Sequence, residues 1–354
     1  MRYIINAKNN GIKVLLLNKR IIAMQTLPYK KLTICLPTYN RFQYLCASLD
    51  ILINQVNERK SEVNIYISDN ASTDNTETII KERYADQSEC LFYYKMPHND
   101  GPEHNFEFCV SQSNSEYVYL LGDDDLVSPF FVETVLKLID RYKDVYFFHF
   151  NYMKVNPRTL KTTVVSDIEG DLLLHYFDNG VSFLSSYFDK PSFMSSNIFR
   201  KSCWNNLEDT RAFDGYGWYY KVLSGIMDKP CLAISIPLVV ARTADISYSA
   251  KFFYLYVVCL SKVFLSLDKS LFDKWVIYSQ MIDEWTFKSF LLSSCNNKRF
   301  YRKHAGEIRS MIVSRRNRLF FFCCIYLIPK IVANYLLKPL FYFLRLLPNR
   351  CTKI

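Results

Sequence analysis

Three consecutive carboxylates, Asp123, Asp124 and Asp125, stand inside the stretch Tyr117 to Pro129, YVYLLGDDDLVSP. Unit charges this close repel one another unless a cation is shared among them. Hard oxygen ligands suit Mg²⁺ or Mn²⁺, and Mg²⁺ is usually held by one or two carboxylates together with the phosphates of a substrate. The chemistry these residues offer is therefore a metal ion holding a diphosphate. A solvated acidic turn, with Ser128 as the N-cap of a following helix, accounts for the same residues, and a single motif does not choose between the two.

The elements around the trio decide whether it sits where a ligand could reach it. Tyr117 to Leu121 has strand character, and a helix is expected from Ser128-Pro129, with Phe131, Val135, Leu138, Ile139 and Tyr142 on one face. Upstream, KLTICL at 31 to 36 reads as a buried strand running into Pro37, Thr38, Tyr39 and Asn40. Phe42, Leu45, Leu49, Leu52, Ile53 and Val56 then recur at helical spacing. A strand over Val63 to Ser68 ends in Asp69-Asn70-Ala71-Ser72-Thr73-Asp74 and leads to a helix over roughly Thr76 to Tyr84. Leu91 to Met96 is a third strand, closed by His98-Asn99-Asp100-Gly101. Pro102 suits the first turn of another helix, where its missing N–H is not needed. Val145 to Phe150 reads as a fifth strand. Strands alternating with helices imply a mostly parallel sheet covered on both faces, in which ligands bind beyond the carboxyl ends of the strands. Three polar loops, 37 to 41, 69 to 74 and 122 to 128, fall at those ends.

With these loops in place, the sequence resembles a family 2 glycosyltransferase of the GT-A fold, in the bacterial polysaccharide branch that holds abequosyltransferase-type enzymes. The stretches that carry the resemblance are LTICLPTYNR at 32 to 41, IYISDNASTDNT at 65 to 76, NDGPEHNF at 99 to 106 and YVYLLGDDDLVSP at 117 to 129. The fold this implies is α/β: a Rossmann-like, mixed but mostly parallel sheet followed by a C-terminal helical region. The resemblance puts Pro37, Thr38, Tyr39 and Asn40 at the nucleotide pocket, Asp69 and Asn70 near the base and ribose, and Asn105 in the loop that closes over the donor. Asp123, Asp124 and Asp125 occupy the region that holds Mn²⁺ or Mg²⁺ against the sugar-nucleotide diphosphate. This chain has Gly122 where the wider family often has its first Asp, which leaves Asp124 and Asp125 as the metal positions and Asp123 on the donor side. An inverting transferase also needs a carboxylate base beside the acceptor hydroxyl. Asp214, ahead of a helix expected from Trp218, is the candidate, and the pair Glu208-Asp209 is the second choice.

The composition leaves room for these readings and narrows the others. A chain of 354 residues, half of them hydrophobic, can form a large domain with an appendage. Its eleven cysteines are odd in number and contain no C-x-x-C pair, a pattern that suits a reducing compartment better than a disulfide framework or a zinc site. The net charge of +10 is concentrated at the C-terminus: residues 315 to 354 carry eight Lys and Arg and no acid, so the first 314 residues retain only +2. A nucleic-acid-binding surface explains this poorly, and a basic tail explains it well. In that tail Lys330, Asn334, Lys338 and Arg345 fall within an arc of about 80° on a helix otherwise made of Ile, Val, Leu, Phe and Tyr. This is the pattern of a helix lying in the interface of an anionic membrane, kinked at Pro339; a helix packed on the protein's own core would share it. No stretch reaches the roughly 18 uninterrupted apolar residues of a spanning helix, and no signal peptide is apparent.

The expected organisation is an extension at 1–30, of which 1 to 24 match no element of the fold, and a catalytic domain at 31–245. Its first half, 31–150, binds the nucleotide sugar and its second, 151–245, takes the acceptor. A helical region at 246–314 and the basic tail at 315–354 complete the chain. The expected partners are a nucleotide-diphospho-sugar, a glycan or lipid-linked oligosaccharide acceptor and an anionic membrane surface; the expected place is the cytoplasmic face of the inner membrane. A metal-dependent nucleotidyl- or phosphotransferase would also use carboxylates at strand ends, but the G-x-x-x-x-G-K-[ST] loop is absent. A non-catalytic membrane scaffold on the same fold is the other alternative.

Overall fold

The computed structural model describes residues 27–156, 159, 161–165, 168, 173–188, 190–204, 213–242, 254–273, 294–312, 315–328 and 333–337. Residues 1 to 24, the Glu208-Asp209 pair and the tail cations Lys330, Lys338 and Arg345 lie outside them. The chain divides into two compact units, Met1–Asn206 with Lys221–Ala244, and Leu207–Tyr220 with Asp245–Ile354.

The first unit is built on one mixed sheet. Its opening strands are β1 (Lys30–Thr38), β2 (Val63–Asp69), β3 (Leu91–Lys95) and β4 (Ser115–Leu120), all parallel, in the spatial order β3-β2-β1-β4. A strand in the middle of such a sheet is covered on both faces and reads as a continuous apolar run. That is why every residue from Leu32 to Thr38 and from Val63 to Asp69 is buried. Alternate residues serve opposite layers. Leu32, Ile34 and Leu36 join the core cluster with α1 (Phe42–Glu58), while the Cys35 thiol donates to the carbonyl of Cys109 in α3 (Pro102–Gln112). Between these helices, α2 (Thr76–Ile79) continues as a π-type turn to Tyr84, filling the span expected to be helical.

The second half of the sheet departs from a simple alternation. After the acidic trio, Leu126–Val127 form a two-residue strand, β5, antiparallel to Val239 and Val240 of a later strand. The helix expected from Ser128-Pro129 starts later, as α4 (Phe131–Arg141): Ser128 continues the pairing with the later strand by donating its N–H to Leu238 O at 2.9 Å, and its carbonyl accepts from Phe131 N at 3.1 Å in a turn ahead of the helix. Its N-cap position is Phe130, with no side-chain cap. The predicted face holds nonetheless: Phe131, Val135 and Ile139 are buried, and Leu138 and Tyr142 pack against the cluster. The fifth expected strand is β6 (Phe147–Val155), displaced toward the C-terminus, with β7 (Thr162–Val165) beside it. Beyond β8 (Leu174–Phe177) and α5 (Gly180–Tyr187), the short β9 (Asn197–Arg200) slots antiparallel between β4 and β6. The helix α6 (Gly217–Ile226) leads to β10 (Cys231–Arg242), parallel to β6 and antiparallel to β5 and β8.

The described part of the second unit is mainly helical, as expected of 246–314: a π-type turn Leu255–Cys259 runs into α7 (Leu260–Leu267), followed by α8 (Lys298–Lys303), α9 (Ala305–Met311) and α10 (Arg315–Phe322). Cys323–Leu327 extends α10 as a π-type turn. Among the described residues no helix is long and apolar enough to cross a membrane.

Candidate active site

Strand register decides which loops meet. Thr38 is level with Asp69 across the β1/β2 pair, and Cys35 is level with Leu120 across β1/β4. Thr38 and Asp123 each lie three residues further on, so the end of the first strand and the acidic loop arrive at the same height. The chain runs from β1 outward to β2 and β3, then returns to the other side of β1 for β4. This reversal is the topological switch point at which open α/β sheets bind ligands.

At that point the Thr38 hydroxyl donates to Asp123 Oδ2 at 2.7 Å, and the Arg41 Nη1 group donates to both Asp123 Oδ1 at 3.2 Å and Asp124 Oδ2 at 3.0 Å. Asp125 turns the other way, accepting from the Ser195 hydroxyl at 2.6 Å on Oδ2. The same Ser195 oxygen accepts from the Gly122 N–H at 2.9 Å, and Tyr119 OH donates to the Ser195 carbonyl at 2.8 Å. Backbone carbonyls of the loop are held as well. Ser48 donates to Asp125 O at 2.5 Å, and the Arg242 guanidinium donates to Asp124 O while lying 5.0 Å from the centre of the Tyr44 ring.

This packing explains the glycine where the wider family often has its first Asp. A Cβ on Gly122 would lie 2.9 Å from Asp125 Oδ2 and 3.2 Å from Asp124 Oδ1, so any side chain there would push the carboxylates out of place.

The three acids differ sharply in environment. Asp123 and Asp125 are each 5% exposed, whereas the Asp124 side chain is 30% exposed. Burial pushes the Asp123 carboxyl up to about 6, with Asp124 adding to the effect and Arg41 and Thr38 opposing it. Burial likewise pushes Asp125 up to about 7, with Asp124 as the second cause. Burial lowers Arg242; it acts in the same direction on Arg41, but Asp123 and Asp124 beside that guanidinium hold it above its ordinary value. Against three carboxylates stand the guanidinium groups of Arg41 and Arg242, and Arg242 makes its hydrogen bonds to the backbone carbonyls of Asp124 and Tyr44.

The other loops are stitched to this one. Asn40, in the left-handed region at φ 53°, donates its N–H to Ser72 Oγ at 2.8 Å and accepts from Thr73 N at 2.7 Å through its side chain. Asn70 N donates to Thr38 O at 2.9 Å, and the Asn70 amide reaches Asn99 Oδ1 at 2.9 Å and Gly101 O at 3.1 Å. Both carboxylate oxygens of Asp69 are engaged, by Tyr93 OH at 2.6 Å and Ser72 N at 2.8 Å. Asn105 is buried on α3, where its amide donates to the carbonyl of Ser68 at 3.1 Å and, at 3.4 Å, to that of Thr38. It ties two strand ends together and is not itself in a loop. Tyr39 projects from the group at 42% exposure.

The structure thus brings together Thr38, Asn40, Asp69, Asn70, Asn105 and Asp123 to Asp125. Asp214 is exposed, in the turn before α6 that includes Gly215 at φ 83°, and belongs to the second unit. Sequence reasoning passed over Arg41, Ser48, Ser195 and Arg242. Arg41 was the most legible, a cation directly following PTYN; Ser195 stands in FMSSN at 193 to 197, a stretch with no chemical signature of its own. Nothing local marks Arg242.

Among the described residues no three His, Cys, Asp or Glu side chains converge on one point. The Arg41 nitrogen does mark one place where oxygens of two carboxylates, Asp123 and Asp124, face a shared positive group. Two carboxylate oxygens, one of them on the partly exposed Asp124, suit a hard divalent ion whose remaining ligands come from phosphate and water.

Comparison with known proteins agrees with this architecture. Residues 33–189 match Glycosyl transferase family 2. The chain is 28% identical over 233 residues to Abequosyltransferase RfbV of Salmonella typhimurium, spanning 62% of this chain and 69% of that protein. It is 27% identical over 95 residues to the GalNAc(5)-diNAcBac-PP-undecaprenol beta-1,3-glucosyltransferase of Campylobacter jejuni, 27% of this chain and 30% of that one. Among solved structures, S. aureus TarS 1-349 superposes with a TM-score of 0.52 at 17% identity, covering 89% of this chain and 87% of that one. The same fragment in complex with UDP-GlcNAc gives 0.52 at 16% identity over the same shares. Sheet order, strand-end loops and family match together establish that the chain carries a family 2 glycosyltransferase domain with the GT-A fold.

Proposed function

We propose that this protein transfers a hexosyl or deoxyhexosyl group from a nucleotide-diphospho-sugar to a lipid-linked glycan during assembly of a bacterial surface polysaccharide, O-antigen or capsule, with inversion at the anomeric carbon. The observation that carries the reading is the meeting of Thr38, Arg41 and the Asp123–Asp125 loop at the switch point between β1 and β4. Asp124, the partly exposed acid, and Asp123 would hold Mn²⁺ or Mg²⁺, in place of the expected pair Asp124 and Asp125, because Asp125 is buried and turned to Ser195. When bound, the ion supplies charge stabilisation for the departing diphosphate. The residues of the chain do the rest. Ser195, Ser48 and Arg242 fix the loop so that its carboxylates need not reorganise; Asn40, Asp69, Asn70 and Asn105 hold the nucleotide side of the mouth in shape. The resemblance puts Pro37 and Tyr39 at the same mouth; Pro37 is buried near the end of β1, and Tyr39 would offer its exposed ring to a base. Asp214 takes the proton of the acceptor hydroxyl.

The acceptor reading draws on the two named relatives, an abequosyltransferase and an enzyme acting on a diphospho-undecaprenol substrate. Association with the cytoplasmic face of the membrane is supported by α10 and its extension. Phe321, Cys324 and Ile325 are buried, yet Leu319 and Leu327 are 65% and 66% exposed and Phe322 and Tyr326 are exposed beside them. After Glu307 the chain contains no acid. An apolar outer face flanked only by cations suits an anionic lipid surface.

Calorimetry of the full chain with UDP, CDP, GDP and dTDP, with and without Mn²⁺, tests the reading. Binding of one of the four, strengthened by Mn²⁺, is expected; binding of none would favour a scaffold.

A further inference from the structure

We propose that Arg41 is an exchangeable internal cation: it occupies the Asp123/Asp124 oxygens in the donor-free protein and gives them up to the divalent ion, so that metal and nucleoside diphosphate bind cooperatively. This rests on the reading of that pair as the ion site.

One nitrogen, Nη1, serves two oxygens, at 3.2 Å from Asp123 Oδ1 and 3.0 Å from Asp124 Oδ2. The remaining oxygen of Asp123 is taken by Thr38. Mg²⁺ binds carboxylate oxygens at about 2.0–2.1 Å. An ion drawn to these two oxygens and a guanidinium already bonded to them would be like charges in contact, so one excludes the other.

Arg41 is suited to leaving. It stands at the N-cap position of α1, its side chain is 31% exposed, and its backbone carbonyl keeps accepting from Tyr44 N and Leu45 N wherever the side chain goes. Arg242, the other guanidinium of the site, is not. It is bonded to the carbonyls of Asp124 and Tyr44 and stacked on the Tyr44 ring, and it touches neither of the two shared oxygens within hydrogen-bond distance. The two arginines therefore have separate jobs, one fixing the loop and one neutralising it.

A released guanidinium needs a new anion, and its planar fork matches a phosphate. A nucleoside diphosphate supplies that anion, so each ligand lowers the cost of binding the other. By linkage, the factor by which diphosphate improves metal affinity equals the factor by which metal improves diphosphate affinity.

The test is Mn²⁺ binding to the purified full chain, followed by the electron paramagnetic resonance of free Mn²⁺, with and without nucleoside diphosphate, for the wild type, Arg41→Gln and Arg41→Lys. Arg41→Gln should bind Mn²⁺ alone about tenfold more tightly than the wild type, the low end for a charge-assisted bond once exposure is discounted. Added diphosphate should then improve its Mn²⁺ affinity less than it improves that of the wild type, with Arg41→Lys between the two. Circular dichroism confirms that each variant is folded. Equal or weaker Mn²⁺ binding by Arg41→Gln, in a wild type that does bind the ion, overturns the exchange and leaves the ion site standing. No Mn²⁺ binding by any form, with or without diphosphate, overturns the ion site and the exchange together.

Discussion

The substitution Asp125→Asn should stabilise the protein, and do so in a pH-dependent way. The Asp125 carboxyl is pushed by burial from its ordinary 3.8 up to about 7. Below about pH 4 the acid is neutral in the folded and unfolded chains alike, and it contributes no penalty. As the pH rises from there toward 7, the unfolded chain has released the proton while the folded one retains it, so stability falls with each step; above 7 the loss is complete. At about 1.4 kcal/mol per tenfold change in proton affinity, the full loss is ~4 kcal/mol. An amide keeps the shape and an oxygen to accept from Ser195, but its NH₂ must find a partner, so about half of this should be recovered. For a unit of this size, ~2 kcal/mol corresponds to roughly 5 °C in melting temperature. Thermal melts followed by circular dichroism at pH 8 and at pH 4 are the assay. A gain at pH 8 that shrinks at pH 4 is expected. No gain at pH 8, or an equal gain at both, would show that the buried carboxylate costs the fold nothing and that its environment is misjudged.

Other consequences arise from the same geometry. Asp124→Ala should leave the melting temperature nearly unchanged, since that side chain is partly exposed, yet lower turnover of sugar nucleotide by about a hundredfold or more, comparable with loss of an electrostatic stabiliser. Gly122→Ala should weaken Mn²⁺ and nucleotide binding together, measured by calorimetry, because the added Cβ displaces the Asp124 and Asp125 carboxylates; unchanged binding would mean the loop gives way freely. Replacing Leu319 and Phe322 by Ser should reduce co-sedimentation with vesicles containing anionic lipid without lowering the melting temperature, because both side chains face outward; a drop in stability with no change in sedimentation would instead mark that face as internal packing.

The first half of the sheet was readable because each of its signals was local. Buried parallel strands appear as apolar runs, their helices as three- and four-residue spacing, and the loops at their ends as clusters of turn formers. The rest of the site comes from far along the chain. Ser195 reaches Asp125 across 70 residues and Arg242 reaches Asp124 across 118, through β9 and β10, strands whose pairing no local pattern announces. The start of α4 shifted for the same reason, since β5 exists only because β10 pairs with it. The acidic trio also looked more uniform in sequence than it is: adjacent residues of one loop point to different partners, so two are buried and one opens outward.

The central claim is that this switch point holds a sugar-nucleotide diphosphate for transfer. The most direct measurement is release of nucleoside diphosphate by the purified full chain from UDP-, CDP-, GDP- and dTDP-sugars, with Mn²⁺ and a lipid-linked glycan acceptor, with Asp124→Ala as control. Release from one donor class, matched by sugar appearing on the acceptor and nearly abolished in the folded variant, is the expected result. Release that the variant sustains at the parent's rate, or none from any donor with the acceptors of the bacterium that makes the protein, would contradict it.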